Sequence, residues 1–191
     1  MELETYVQGA IRTESKIQTA QVHDLFAFIA VLKAFIASAQ LLDLYKKNIF
    51  YKKPINEEKW VITKQLLEQA VSEIVRGAYL PLSTTPCDVI GTDPRLLHSL
   101  IGIATESGEL IEALLKQVLG EATLDIVNVQ EEFGDLGWYQ AIGVDAMMAD
   151  WNQILETNLA KLKARYPEKF TSENAINRDL DKERDILEGK A

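Results

Sequence analysis

Cysteine and histidine are scarce in this 191-residue chain: Cys87 stands alone, and His23 and His98 are the only imidazoles. One thiol excludes an internal disulfide and a cysteine-based zinc site, and it suits a reducing cytoplasm. The dipeptide His23–Asp24 hints at an HD-type phosphohydrolase, but such a site needs several histidines. No E-x-x-H occurs, so a ferritin-like di-iron centre is also unsupported. His98 lies among Leu96, Leu97 and Leu100 and reads as a helix-contact residue rather than a ligand. Basic charge is short as well, with 20 Lys and Arg against 29 Asp and Glu and a net charge of −9. That balance argues against a nucleic-acid backbone or an anionic membrane as the main partner, since both require a basic face. An acidic chain that binds a polyphosphate needs a divalent cation to reconcile the charges. Glycine and proline are sparse, at 10 and 5 residues, so little of the chain reads as disordered. The most apolar run, "LFAFIAVLKAFIASAQLL" from Leu25 to Leu42, is interrupted by Lys33, Ser38 and Gln40, and is expected to be a buried helix rather than a membrane span. The start, "MELETYVQGA", is too acidic and polar for a signal peptide, and a cytoplasmic location is expected.

What the chain does contain is apolar residues at helical spacing. Hydrophobic residues make up 47% of it, enough for a core in one domain or in two small helical halves. Almost nothing alternates like a strand, and the pattern predicts helices over about 4–14, 20–48, 56–78, 94–117, 125–147, 151–165 and 173–188. Asp93 before Pro94 is an N-cap and first-turn pair, Asp150 with Gln153 has capping-box spacing, and Ser172 is placed to cap the last helix. Gly120 ends one helix, and Pro167 stops another. The segment 79–93 collects three prolines with its neighbour Pro94 and reads as a linker between an N-terminal half, 1–78, and a C-terminal half, 94–191.

The halves show a weak likeness. "IASAQLLDLYKK" (Ile36 to Lys47) resembles "IATESGELIEALLK" (Ile103 to Lys116) in either of two registers, two residues apart. Glu106 and Glu109 then face Ala39 and Leu42, or Ala37 and Gln40. If the first half is a copy, it has lost the acidic face and kept the packing face.

The acids are the main chemical signal. Glu106, Glu109 and Glu112 recur every third residue, beside Leu110, Ala113 and Leu114. Residues three apart on a helix are about 60° apart in projection, so the three share one face. A second pair, Glu132 and Asp135, repeats the spacing, with Asn128 one turn before Glu132. Twenty-two residues separate Glu109 from Glu132, room for one helix to end and the next to return antiparallel beside it. Converging carboxylates repel and lose solvation, while oxygen ligands so arranged are what Mg²⁺ takes. Gly108, Gly134 and Gly137, each costing about 1 kcal/mol in a helix interior, would let the two helices approach. Either acidic face taken alone also reads as a solvated helix surface.

The pattern E-x-x-E, gap, E-x-x-D at Glu106, Glu109, Glu132 and Asp135 resembles the hallmark of the all-α nucleoside triphosphate pyrophosphohydrolases, the MazG-like proteins related to dimeric dUTPases and dCTP pyrophosphatases. "RLLHSLIGIATESGELIEAL", "NVQEEFGDLGWYQAI" and "NLAKLKARYPEKF" are similar to that family's first and second motif helices and to its tail, over roughly 94–180, and "IRTES" (Ile11 to Ser15) is similar to the start of phage-type members. Many relatives carry a doubled acid where this chain has Thr105 before Glu106.

The resemblance implies an all-α antiparallel helical bundle, often completed by a second subunit; the weak repeat offers the N-terminal half in that place, as an internal pseudo-dimer. The resemblance also implies hydrolysis of a nucleoside triphosphate to the monophosphate and pyrophosphate, usually by attack at the α-phosphorus. Glu106, Glu109, Glu132 and Asp135 would hold Mg²⁺, or Mn²⁺ in its place, which neutralises phosphate oxygens and lowers the pKa of the attacking water. Glu131 or Glu112 is the candidate general base, or a solvated helix acid. Asn158, Lys161 and Arg165 share a helix face whose family counterparts contact phosphate; a surface salt-bridging face is the other reading. Lys116 is a weaker phosphate donor candidate. Asn128 is read as a bond to base or sugar, or as a helix cap, and Trp138 and Tyr139 as a base-stacking surface or as core. Two rival classes stay open: a non-catalytic helical binding protein that keeps this fold, and a structural bundle with incidental acids.

Overall fold

A computed structural model describes residues 1–16, 19–78, 87–89 and 91–190. Most of the expected linker, 79–86 and residue 90, lies outside the described residues. The described residues are all-α apart from one two-residue antiparallel pairing. Its elements are α1 (Leu3–Thr13), β1 (Gln21–Val22), α2 (Leu25–Tyr51), α3 (Glu57–Ala78), β2 (Cys87–Asp88), α4 (Pro94–Val118), α5 (Ile126–Ala146), α6 (Trp151–Arg165), α7 (Ser172–Ile176) and α8 (Leu180–Leu187).

Helix ends follow side-chain chemistry. Asp93 accepts hydrogen bonds from the Arg95 and Leu96 amides ahead of Pro94, as its spacing predicts. Asp150 accepts from the amides of Asn152 and Gln153. Gly120 follows α4 with φ of +73°, a conformation open to glycine. Three boundaries differ from expectation. The predicted helix over 20–48 starts at Leu25, because Gln21 and Val22 pair with Asp88 and Cys87, and Asp24 caps the Ala27 amide at 2.9 Å. The predicted helix over 173–188 is two, since Asp179 caps α8 and restarts the chain. Thr171, not Ser172, caps α7.

By packing, the described chain forms two compact units, each made from two stretches. The first comprises Met1–Ala20 and Ile90–Ala160 and contains α1, α4, α5 and most of α6. Within it Arg95 meets Asp145, Ser99 meets Tyr139, and a hydrogen bond joins Glu106 to Glu132, so α5 runs antiparallel to α4. The seam between them is made by small residues. A Cβ on Gly102 would lie 2.1 Å from the Tyr139 ring, and one on Gly143 would lie 2.3 Å from Ser99 Oγ. The glycines expected to allow this approach are not in the seam. Gly108 and Gly134 face open space, and Gly137 lies under the Tyr6 hydroxyl of α1. α1 is fastened over α5 by a hydrogen bond from Tyr6 Oη to the Gly134 carbonyl (3.2 Å) and one from Trp138 Nε1 to Thr13 Oγ1 (2.9 Å). Arg95 bridges Glu14, at the end of α1, and Asp145, both at 2.7 Å, and these two partners hold its guanidinium above its ordinary pKa.

The second unit comprises Gln21–Val89 and Lys161–Ala191. Its main element is the antiparallel α2/α3 hairpin, whose seam buries Ala30, Ala37 and Ala70 and carries a Lys33–Glu73 ion pair of 2.9 Å at its edge. Lys52, in the left-handed region at φ 55°, closes the turn, and Asn56 caps α3. α2 is long and apolar enough to cross a membrane by length and composition, and only 11% of its most apolar window is buried. The expectation that Leu25–Leu42 forms a buried helix therefore does not hold within the chain itself: Phe26, Val31, Phe35 and Ile36 are exposed. Elsewhere in this unit Phe170 contacts both Tyr51 and Tyr166, and Glu183 takes hydrogen bonds from Arg165 and Arg178.

Candidate acidic site

Two antiparallel helices bring the acids together. Glu106 and Glu109 occupy one face of α4, and Glu132 lies opposite on α5; each offers a carboxylate oxygen, and the three oxygens lie within 4.8 Å of one another. Their exposure is graded. Glu132 is buried at 5% exposure, Glu106 is half-buried and Glu109 is exposed, so the trio opens from a dry end to a wet one. A groove of about 230 Å³ runs beside it, lined by Glu109, Glu112, Lys116, Asp125, Asn128 and Glu132 among others.

Glu132 bears the electrostatic cost. Burial pushes its carboxyl pKa up, and the hydrogen bond with Glu106 and that residue's charge push it further. Asn128 acts in the opposite sense, its Nδ2 donating to Glu132 Oε1 at 3.1 Å. Asp135 adds its charge from outside the trio. Asp135 is exposed and is not among the three converging acids, so the expected foursome is seen as a trio with an acid beside it. Two phenols share this field. Burial and then the charges of Glu106, Asp135 and Glu109 raise the pKa of Tyr139, and burial and then Asp135 raise that of Tyr6.

The other candidates fall in several places. Asn128 is not the helix cap; Asp125 is, accepting from the Val127 and Asn128 amides. Glu131 is exposed and outside the trio. Glu112 is paired with Lys116 at 2.7 Å, one turn along α4, which lowers the Glu112 pKa and occupies the ammonium. Arg165 holds Glu183 with both edges, Nε to Oε1 at 2.8 Å and Nη2 to Oε2 at 2.6 Å. Asn158 belongs to the first unit, and Lys161 and Arg165 belong to the second, all on α6. Trp138, Tyr139 and His98 form an edge-to-face cluster inside the first unit, with ring centroids 4.8–5.9 Å apart, which is the packing role the sequence offered for them.

Sequence reasoning missed Tyr6 and the support given by Asn128. The spacing of 128 and 132, one helical turn, carried the second signal. Nothing local carried the first, because Tyr6 and Gly134 are 128 positions apart.

The donor set fits a hard divalent cation. Three carboxylates, one of them buried and disfavoured in its charged form, gain most from a neighbouring positive charge, and oxygen-only ligation suits Mg²⁺ or Mn²⁺. Searches against protein-family models, curated proteins and solved structures returned no match for this chain.

Proposed function

We propose that the chain is a Mg²⁺-dependent nucleoside triphosphate pyrophosphohydrolase of the MazG-like kind, converting a (d)NTP and water to the (d)NMP and pyrophosphate. The observation that carries this reading is the meeting of three carboxylate oxygens within 4.8 Å across an antiparallel helix pair. An acidic protein gains little from such an arrangement without a cation. Glu106, Glu109 and Glu132 would hold the ion, with Asp135 beside them. When bound, the ion supplies charge neutralisation for phosphate oxygens and a more acidic water.

The chain's own residues then have distinct tasks. Asn128 fixes the Glu132 carboxylate in one orientation through its amide. Glu109, at the exposed end, faces the groove by which a triphosphate would arrive. Tyr139 packs its ring on Gly102, one turn before Glu106, and holds α4 and α5 close at the acids. The incoming phosphates need positive partners, and Lys116, which lines the groove, is already paired with Glu112.

That last point favours a second reading. Lys116 and Arg165 are both committed to glutamates, which suits a helical protein that binds a cation or a partner without turnover. A nucleotide panel separates the two. Each NTP and dNTP is incubated with Mg²⁺ and pyrophosphate is measured, and the panel is repeated with Glu109→Gln and Asp135→Asn. The enzyme reading expects turnover that falls by about 100-fold or more in both variants. A folded wild type with no turnover on any nucleotide removes the catalytic reading, and a Mg²⁺-insensitive melting temperature removes the metal site too.

A further inference from the structure

Asp135 stands on the softest turn of α5. Gly134 precedes it and Gly137 follows two residues later, and each glycine costs a helix interior about 1 kcal/mol against alanine. Asp135 is exposed and lies outside the converging trio, although Glu132, one turn earlier, lies inside it. Glu132 has an orienting donor on its own helix, the Asn128 amide. Asp135 has to be held some other way if it is to stay beside the trio.

What meets its turn is α1. Tyr6 Oη donates to the Gly134 carbonyl at 3.2 Å, and a Cβ on Gly137 would lie 3.1 Å from the same oxygen. The phenol thus fills the space that a side chain at 137 would take, and it ties the turn around Asp135 to a second helix. The charge of Asp135 reaches the phenol across this contact. The ring packs without help from its hydroxyl: it lies tilted on Trp151 with centroids 6.2 Å apart, an arrangement open to phenylalanine too. The hydroxyl is the part aimed at the acidic turn. The other end of α1 is anchored separately, by Trp138 Nε1 on Thr13 Oγ1 at 2.9 Å and by Arg95, which joins Glu14 to Asp145.

We propose that Tyr6 is a positioning residue: its hydroxyl, delivered by α1, fixes the Gly134–Gly137 turn and so holds Asp135 beside the three cation-binding acids. This inference rests on the metal-dependent hydrolase reading above. Tyr6 acts through Asp135, as Asn128 acts through Glu132, and the two acids of α5 are steadied from different elements.

The test uses the full chain and Tyr6→Phe, which keeps the ring and removes the hydroxyl. Mg²⁺ binding is measured by calorimetry, and kcat and KM are measured on a nucleotide that the wild type hydrolyses. Tyr6→Phe is expected to weaken Mg²⁺ binding and lower kcat by about tenfold each, with KM changed by less than about twofold. Thr13→Val removes a second hydrogen bond between α1 and α5 and is expected to change each by less than about twofold, which separates positioning from a general loosening of α1. In an Asp135→Asn background, Tyr6→Phe should add less than about twofold to either loss. Equal effects of Tyr6→Phe and Thr13→Val overturn the proposal, because the hydroxyl is then one more fastening of α1. So does a Tyr6→Phe protein with wild-type Mg²⁺ affinity and kcat, and so does a full Tyr6→Phe loss on top of Asp135→Asn. A wild type that binds Mg²⁺ without turnover removes hydrolysis alone, and the calorimetric comparison still decides the part played by Tyr6. A folded wild type that neither binds Mg²⁺ nor hydrolyses any nucleotide removes the hydrolase reading, and this proposal falls with it.

Discussion

Glu132 and Glu183 are buried to nearly the same degree, 5% and 6% exposed, yet their surroundings are opposite. Glu183 sits between two guanidiniums. The hydrogen bonds of Arg178 and then Arg165 hold its carboxyl at a pKa of about 2, against the burial that would raise it. Glu132 sits beside Glu106, with Asp135 further off, and its pKa is raised. Burial alone therefore says little about a carboxylate. The first arrangement holds helix α8 to the end of α6, and the second leaves repulsion that a cation would relieve. A fold can carry one of these for stability and the other only for binding.

Glutamine at each position separates the two most strongly. Glu183→Gln leaves Arg165 and Arg178 without a counter-charge and is expected to cost about 3 kcal/mol in urea unfolding. Glu132→Gln removes repulsion, so the cation-free protein should lose less than about 1 kcal/mol while Mg²⁺ binding is abolished. Equal destabilisation by the two would show that Glu132 is a structural acid like its counterpart.

Acid titration probes the same contrast in the wild type. The folded pKa of Glu183 is depressed, so its contribution is fully present above the unfolded value near 4.5 and is lost as pH falls toward 2. Its loss is expected to be worth about 3 kcal/mol at most, and Glu183→Gln should flatten the stability profile in that window. An unchanged profile in the variant would assign the acid sensitivity elsewhere.

Mg²⁺ should act on one unit only. At about 100 times its dissociation constant the ion adds close to 2.7 kcal/mol to the wild type and nothing to Glu132→Gln, read as a shift in melting temperature. The same shift in both proteins would place the cation away from the trio.

The smallest effects concern glycines. Gly102→Ala drives a methyl into the Tyr139 ring and is expected to cost about 2 kcal/mol. Gly108→Ala meets open space in the same helix and should stabilise by up to about 1 kcal/mol. Gly77→Ala in the other hairpin meets only ordinary contacts at 3.8 Å and should behave like Gly108→Ala. Chemical denaturation of the three variants orders them.

These glycines also show how far sequence reasoning reaches. The 3.6-residue period placed the helices, and Asp93, Asp150 and Gly120 marked ends that local hydrogen bonds dictate. The two acidic faces were legible because residues three apart share a side of a helix. Which small residue meets the neighbouring helix was not legible. Gly108 and Gly134 stood beside the acids in the sequence, but rotation of α4 against α5 turned Gly102 and Gly143 into the seam. Asp135 was indistinguishable from its partners by spacing and lies outside the trio for the same reason.

The amino-acid order alone thus determined an all-α chain, its acidic balance and two helix faces bearing carboxylates, because each depends on residues within a turn or two of one another. Tertiary structure alone decided that three acids converge, that Asn128 steadies one of them, and that Tyr6 reaches Gly134 from α1. It also decided that Arg165 is held by Glu183 and that the α2/α3 hairpin keeps an apolar face open. Such contacts depend on how helices rotate and stack, and no pattern confined to one helix carries that information.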